Sequence, residues 1–301
     1  MSDELGPRTG KAGAIVVSLS GGKDSVAMLL DLVERGLLPV ACHYQCLPED
    51  WRETLPYVQY VCEKVGVPLV AQQILYEPVG DGTGVRRLAV VDIHKPGDIV
   101  PWNTPGVIAG VTDLAMRRGW PPSASARFCT RYGKVELLDL WLRQNRSSLL
   151  AEQPEIWVAL GERAAESPRR ARKTATAPRL HWKREQVTAV NWLPVHTWSR
   201  RDTFRKLRDW GIEPHPAYQA QGMSPASMYD ADVEGGARTS CRFCIYASQA
   251  ERCHQAQSEA CRPVLDRLVE FERATGRTWW ATMAASSLLA GEPGRQLAFD
   301  W

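Results

Sequence analysis

The succession of an apolar run, a glycine turn and a helix between residues 14 and 33 constrains the fold more than any other feature. Residues 14–19 are apolar and rich in β-branched side chains, which is typical of a strand buried in a parallel sheet. Two glycines then interrupt the run, and helical periodicity extends from residue 25 to residue 33 and ends near Gly36. A strand that leads through glycines into a helix predicts the first unit of an α/β fold.

The rest of the chain repeats this alternation. Further strands are predicted at residues 38–44, 68–72, 156–160 and 186–192, and helices at residues 53–65 and 135–144. The pattern predicts an α/β fold with a doubly wound, mainly parallel sheet. Residues 77–125 are rich in Gly and Pro and carry no assignment, whereas residues 163–184 hold eight Lys or Arg and are predicted to form a surface loop.

The turn after the first strand has the chemistry of an anion-binding loop. Its six residues are Ser20, Gly21, Gly22, Lys23, Asp24 and Ser25. Glycine allows backbone conformations that other residues avoid, and the unpaired N–H groups of a helix start attract anions. Lys23 adds a positive charge, and Asp24 suits either a metal ion or a helix cap. The spacing differs from that of a Walker A loop, and a ligand-free tight turn is the alternative reading.

This hexapeptide resembles the signature of the PP-loop superfamily, many of whose members cleave ATP between the α- and β-phosphates with Mg²⁺. The resemblance implies an adenine nucleotide α-hydrolase-like fold. Residues 161–171 (Gly-Glu-Arg-Ala-Ala-Glu-Ser-Pro-Arg-Arg-Ala) resemble a second motif, known from its sulfonucleotide reductase branch. Together the two motifs imply that ATP is bound by Ser18, Ser20, Gly21, Gly22, Lys23, Asp24, Ser25, Arg163, Glu166, Ser167 and Arg170. The catalytic residues among them would be Lys23, Asp24, Arg163 and Arg170.

Cysteines form a second constellation. Cys241 and Cys244 have the spacing of a metal-binding turn, Cys253 and Cys261 follow, and Cys129 lies far upstream. Four thiolates can hold either zinc or an iron–sulfur cluster, and the spacing leaves both open. Cys42, Cys46 and Cys62 fall in a strand, the loop after it and a helix, and they are interpreted as buried small apolar side chains or incidental surface thiols in preference to metal ligands.

The cysteine segments resemble the DNA phosphorothioation branch of the superfamily (DndC/SspD type). The matching patterns are Arg-x-Cys-Thr-x3-Lys at residues 127–134 and Arg-x2-Cys-x2-Cys from Arg238 to Cys244. Residues 192–218 are also similar to the stretch that precedes the second pattern. This resemblance implies a [4Fe–4S] cluster on Cys129, Cys241, Cys244 and Cys253, with Cys261 as the substitute for Cys253.

The domain organisation follows from these assignments. Residues 1–11 are expected to be a polar tail, residues 12–198 the nucleotide-binding domain, and residues 199–301 a helical, cysteine-containing C-terminal region interrupted at residues 222–248. The polar tail has no apolar stretch of the kind found in signal peptides, and no apolar run is long enough to span a membrane. A cytoplasmic location, where thiols stay reduced, is therefore expected. The net charge of +3 is too small to demonstrate nucleic-acid binding.

The sequence favours an ATP pyrophosphatase that activates DNA for sulfur insertion, supplied by a cysteine desulfurase or another sulfur carrier. A sulfonucleotide reductase is an alternative, although no cysteine follows Cys261 and Thr130 stands where cluster-bearing reductases have a second adjacent cysteine. A tRNA thiolation enzyme remains open, because a basic loop serves RNA as well as DNA. A non-catalytic nucleotide-sensing or DNA-binding subunit is disfavoured by the intact Lys23, Asp24 and Arg170.

Overall fold

The computed structural model describes residues 13–150, 155–182, 187–224, 228, 239 and 241–289. Its centre is a seven-stranded sheet in the order β4-β3-β2-β1-β5-β7-β6. The strands are β1 (Ala14–Ser18), β2 (Ala41–Gln45), β3 (Leu69–Val79), β4 (Gly84–Asp92), β5 (Ile156–Leu160), β6 (Thr176–Trp182) and β7 (Val187–Trp192). The five inner strands run parallel to one another. The edge strands β4 and β6 each pair antiparallel with the inner strand beside them. The predicted mainly parallel α/β sheet is confirmed.

Helices cover both faces of this sheet. The helices are α1 (Lys23–Glu34), α2 (Thr54–Val65), α3 (Val111–Arg118), α4 (Glu136–Leu149), α5 (Pro168–Ala171), α6 (Arg200–Asp209), α7 (Ala217–Ala220), α8 (Gln249–Ala256), α9 (Arg262–Thr275) and α10 (Ala285–Leu289). A helical turn at Phe128–Thr130 and a π-helical turn at Arg131–Val135 lead into α4. The predicted helical C-terminal region is therefore present as α6 to α10.

Alternating side chains of β1 supply the two faces of the core. Ile15 and Val17 pack with α1, α2 and Leu207 of α6, whereas Val16 packs with Leu138 and Leu142 of α4. Helices on both faces and a parallel centre are the features of a doubly wound fold. A further cluster joins α3, α9 and α10 to the outer part of β3, and it carries the C-terminal helices.

Two sequence-based assignments need correction. Residues 163–184 are not one surface loop, because Thr176–Trp182 forms the edge strand β6 and Pro168–Ala171 forms a helix. Edge strands lack the continuous apolar run of central strands, since one edge faces solvent and charged side chains protect it. The unassigned stretch 77–125 likewise contains edge strand β4 and helix α3. The predicted tail at residues 1–11, Lys183, Arg184 and Arg238 lie outside the described residues.

No helix in the described part of the chain has the length and apolar character needed to cross a membrane.

Candidate functional site

The glycine loop lies at the carboxyl end of β1, between β2 on one side and β5 on the other. In a doubly wound sheet this is the switch point, where the loops diverge and leave a crevice for ligands. Gly21 has a φ of 74°, Gly22 is the N-cap that follows it, and helix α1 begins at Lys23. A side chain at Gly21 would be strained in this left-handed conformation. The turn therefore aims the first N–H groups of α1 into the crevice.

Asp24 pairs with two cations, Lys23 next to it in the phosphate loop and Arg163 from the loop after β5. Its carboxylate accepts a hydrogen bond of 2.8 Å from Nζ of Lys23 and one of 2.6 Å from Nε of Arg163. Arg163 is 2% exposed and Lys23 is 6% exposed, so both charges are held at the bottom of the crevice. Burial raises the pKa of Asp24, but the charges of Lys23 and Arg163 outweigh burial and keep this pKa below its ordinary value. Two cations and one carboxylate leave a net positive charge beside the helix start, which favours an anion.

The loop after β5 approaches the start of α1 closely. A Cβ atom on Gly161 would lie 2.6 Å from both N and Cα of Ser25, so only glycine fits there. Glu166 then accepts a 2.9 Å hydrogen bond from the backbone N–H of Arg163, and it also pairs with the guanidinium of Arg170. The predicted arginine loop is thus folded onto the phosphate loop through Arg163, whereas the Arg170 charge faces Glu166.

The hydroxyls of the loop bind one another. Ser20 donates its backbone N–H to Oγ of Ser25 at 3.2 Å, and Ser25 donates its hydroxyl to the carbonyl of Gly22 at 3.0 Å. Ser18 ends β1 in register with Leu160, and Oγ of Ser167 accepts the N–H of Arg170 at the start of α5. The predicted nucleotide-binding residues therefore lie at the end of β1, in the turn and first residues of α1 that follow it, and in the segment that follows β5.

Residues from α6 and α7 complete the crevice. The Tyr218 hydroxyl accepts a 2.9 Å hydrogen bond from the backbone N–H of Lys23, at the start of α1. The Phe204 ring lies beside Tyr218, and its centroid is 5.9 Å from Nζ of Lys23. His215 approaches Gly21 from the other side and bonds Oγ1 of Thr54 at 3.1 Å. None of these side chains is predicted from the sequence as part of the site, although Tyr218 ends the segment 192–218 that carries a family resemblance.

The cysteine turn lies against the same loop. A Cβ atom on Gly22 would lie 3.6 Å from Cβ of Thr239, two residues before Cys241. Arg242 anchors the turn by donating its backbone N–H to the carbonyl of Glu49 and its guanidinium to the carbonyls of Pro48 and Ala260. The turn is therefore fixed to the loop that follows β2, at the same edge of the sheet as the phosphate loop.

Thiols from distant parts of the sequence meet near Lys134. The nearby thiol of Cys241 is the main cause that raises the pKa of Lys134, and Cys244 and Cys129 act in the same direction. Burial raises the pKa of Cys241, and Lys134 counteracts this effect. Lys134 belongs to the Arg-x-Cys-Thr-x3-Lys pattern, and this pattern is the signal that could have assigned it to the site.

The thiols do not form a closed ligand set. Across the described residues, no three Cys, His, Asp or Glu side chains are arranged closely enough to hold a metal ion. The donor chemistry suits an iron–sulfur cluster, but this arrangement does not yet fit one. We therefore derive no chemical step through a cluster.

The remaining cysteines have different surroundings. Cys253 lies on α8 beside Arg252, and Arg252 also interacts with Cys244. Cys261 is fully buried at the start of α9, where its charged neighbours are Arg242 and Glu53. Of the two interpretations of Cys42, Cys46 and Cys62, the structure shows buried side chains and not surface thiols, since each is at most 2% exposed.

Comparison with known proteins gives limited information about identity. No protein-family model matches the chain. The chain is 26% identical over 263 residues to an uncharacterized 37.8 kDa protein encoded in the gpa 5′ region of Escherichia phage 186, and the match covers 78% of this chain and 68% of that protein.

Two solved structures show weak overall similarity. Phosphoadenylyl-sulfate (PAPS) reductase from Candida auris has a TM-score of 0.38 at 12% identity, covering 70% of this chain and 79% of that chain. FMN adenylyltransferase from Candida glabrata also has a TM-score of 0.38, at 11% identity, covering 72% of this chain and 54% of that chain. Similarity at this level carries no argument about function, which must be argued from the residues themselves.

Proposed function

We propose that this chain is an ATP pyrophosphatase of the PP-loop superfamily, and that it activates a nucleic acid, DNA in the first instance, for sulfur insertion. The observation that carries the proposal is the contact between Gly22 and Thr239, which places the phosphate loop beside the cysteine turn. A nucleotide site and a group of thiols in one crevice suit a reaction that activates an acceptor with ATP and then brings sulfur to it.

The charged residues of the phosphate loop and of the segment after β5 have different roles in this reaction. The N–H groups of the first turn of α1, other than that of Lys23, which is donated to Tyr218, and the Lys23 amine would bind the phosphates, with Arg163 beside them. Asp24 holds both cations in place before ATP arrives. Glu166 positions Arg163 and Arg170, and Arg170 would turn from Glu166 towards the pyrophosphate.

The chemical step is an in-line displacement. An oxygen of the acceptor attacks the α-phosphorus, the bond from this phosphorus to the bridging oxygen breaks, and pyrophosphate leaves while AMP stays on the acceptor. Mg²⁺, when bound with ATP, would neutralise charge on the leaving pyrophosphate. Buried cations that are already positioned stabilise the charge that develops, which is the main catalytic contribution in such transfers. A cysteine desulfurase or another sulfur carrier would provide the sulfur that displaces AMP.

We also propose that Cys129, Cys241, Cys244 and Cys253 hold a [4Fe–4S] cluster. Three of these thiols lie around Lys134, and Arg252 links Cys253 to Cys244, which favours Cys253 over Cys261. Closing the ligand set requires the thiols to move together when the cluster is inserted. Cys244→Ala should therefore lose the metal, whereas Cys261→Ala should keep it; full iron content in Cys244→Ala would overturn the ligand set.

The first test uses protein purified without oxygen. Pyrophosphate and AMP released from ATP are measured alone, with DNA and with tRNA, and iron and zinc are determined on the same sample. The proposal predicts pyrophosphate release that DNA stimulates, together with about four irons per chain. Pyrophosphate release that tRNA stimulates and DNA does not would indicate tRNA thiolation. Consumption of an adenylyl sulfate with a thiol donor, in the absence of ATP cleavage, would replace the proposal with a sulfonucleotide reductase.

A further inference from the structure

One stretch of the chain carries an unbalanced positive charge. Residues 114–135 contain Arg117, Arg118, Arg127, Arg131 and Lys134, and no Asp or Glu. None of these five cations forms an ion pair with a carboxylate of the described residues. The basic residues after β5 differ in this respect, because Arg170, Lys173 and Arg179 pair with Glu166, Glu162 and Asp139. The stretch thus lacks the ion pairs with carboxylates that part of the basic segment after β5 forms.

Aromatic rings hold three of these arginines in place. The Arg118 guanidinium lies 4.9 Å from the ring centroid of Tyr132, and that of Arg131 lies 5.5 Å from the same ring. The Arg127 guanidinium lies 5.4 Å from the ring centroid of Tyr246. Stacking on a ring restrains a guanidinium but leaves its N–H groups able to donate to a phosphate.

Two large aromatic side chains are exposed in these segments: Tyr246, which contacts Arg127, and Trp120, which follows Arg118 by two residues in the sequence. Trp120 is 39% exposed and Tyr246 is 45% exposed. We call the group the arginine–aromatic surface and define it by Arg118, Trp120, Arg127, Arg131, Tyr132 and Tyr246. Exposed rings next to cations are the combination that binds single-stranded nucleic acids, because bases stack on the rings while the cations contact the phosphates.

The position of this surface connects it to the thiols. Arg127 and Arg131 flank Cys129 in the sequence, and Tyr246 follows Cys244 by two residues. A strand bound across the surface would therefore pass over the group of thiols near Lys134. From these observations we infer that the arginine–aromatic surface binds the acceptor as a single strand, or as a locally unpaired strand, and leads it to the crevice. This inference rests on the proposed function for the identity of the acceptor.

The test measures how tightly the protein binds a fluorescent oligonucleotide, offered either as a single strand or as a duplex. Fluorescence anisotropy monitors the binding over a range of KCl concentrations. Arg131→Ala should reduce the slope of log affinity against log salt concentration by about 0.7, as expected when one phosphate contact to a single strand is lost. Trp120→Ala should weaken single-strand binding about 5-fold or more and leave the salt slope unchanged. The matched control is Arg262→Ala, since this exposed arginine pairs with Asp266 on α9.

The result that overturns the inference is equal binding of the single strand by wild-type protein, Arg131→Ala and Trp120→Ala. Binding of duplex in preference to single strand, with no effect of Trp120→Ala, would also overturn it. ATP cleavage without nucleic acid is measured in the same variants and should stay at the wild-type rate. Failure of ATP cleavage in the wild type would refute the proposed function alone, whereas failure of binding with normal cleavage would refute this inference alone.

Discussion

At the residue scale, the site depends on one carboxylate shared by two cations. Asp24 contacts Lys23 and Arg163 together, and all three side chains are largely shielded from solvent. Breaking such a group by removing one member leaves an imperfectly compensated charge, so single substitutions have effects beyond the loss of one contact. The sequence motif could identify Lys23 and Asp24, but it could not show that Arg163, 139 residues away from Asp24, completes the group.

Lys23→Ala should lower the rate of pyrophosphate release about 100-fold or more, because a positioned cation that stabilises developing charge is lost. Lys206→Ala is the matched control, since Lys206 pairs with Asp31 and Glu34 on the outer side of α1. Turnover measured by pyrophosphate release should stay near the wild-type rate in the control. Unchanged turnover in Lys23→Ala would remove the loop from the mechanism.

At the element scale, β5 and α1 meet without space for a side chain. Gly161→Ala would place a methyl group 2.6 Å from the backbone of Ser25, so the β5 loop or the start of α1 has to shift. We expect a loss of about 1–3 kcal/mol in the free energy of unfolding and weaker ATP binding. Gly97→Ala is the control because a Cβ there meets nothing within 4 Å. Denaturant unfolding with and without ATP measures both effects, and equal behaviour of the two variants would contradict this packing argument.

A buried chain of hydrogen bonds joins the helix α7 region to the cysteine turn. Gln221 donates to the carbonyl of Ala217 and accepts from Gln255, which in turn accepts the backbone N–H of Phe243. Phe243 is buried and has a φ of 53°, a conformation that few residues other than glycine adopt. Sequence patterns could locate the cysteines, but not this chain, because glutamines distant in sequence carry no periodic signal.

Gln255→Ala should destabilise the protein by about 1–3 kcal/mol, since the buried N–H of Phe243 loses its acceptor. Gln257→Ala is the matched control, because Gln257 is exposed at the end of the same helix. The free energy of unfolding from urea titration is the measurement. An equal decrease in the free energy of unfolding for the two variants would show that Gln255 does not stabilise the cysteine turn.

At the scale of the whole molecule, the sequence predicts the buried parallel strands better than the edges. β1 and β5 are nearly continuous apolar runs, and β2 and β7 lie within or next to apolar stretches, so these four strands are predicted close to their observed positions. The edge strands β4 and β6 carry charged residues on an incompletely covered surface and have no such run. The meeting of the phosphate loop, the cysteine turn and Tyr218 depends on the way α6 to α9 pack across the sheet edge, which local patterns do not encode.

Two buried histidines make the stability of the whole fold depend on pH. His43 is 0% exposed and its ring nitrogens contact Gln72 and Gln45, whereas His215 is 1% exposed and accepts the N–H of Ala217. Burial is the main cause that lowers the pKa of each ring from 6.5 to about 4. Between these values the unfolded state binds more protons than the folded state, so protonation favours unfolding.

Above about pH 6.5 these two rings should therefore cause no change in the free energy of unfolding. Below that pH they should make it fall as the pH decreases towards 4. As the pH falls from 6.5 to about 4, the burial of each neutral ring lowers the free energy of unfolding by up to about 3 kcal/mol. His215→Asn should remove about half of the pH dependence that these two buried rings cause. Urea unfolding at intervals from pH 7.5 to pH 5 measures the slope, and the range stops there because carboxylates titrate below it. An identical slope in wild-type protein and His215→Asn would show that the His215 ring is not held neutral by the fold.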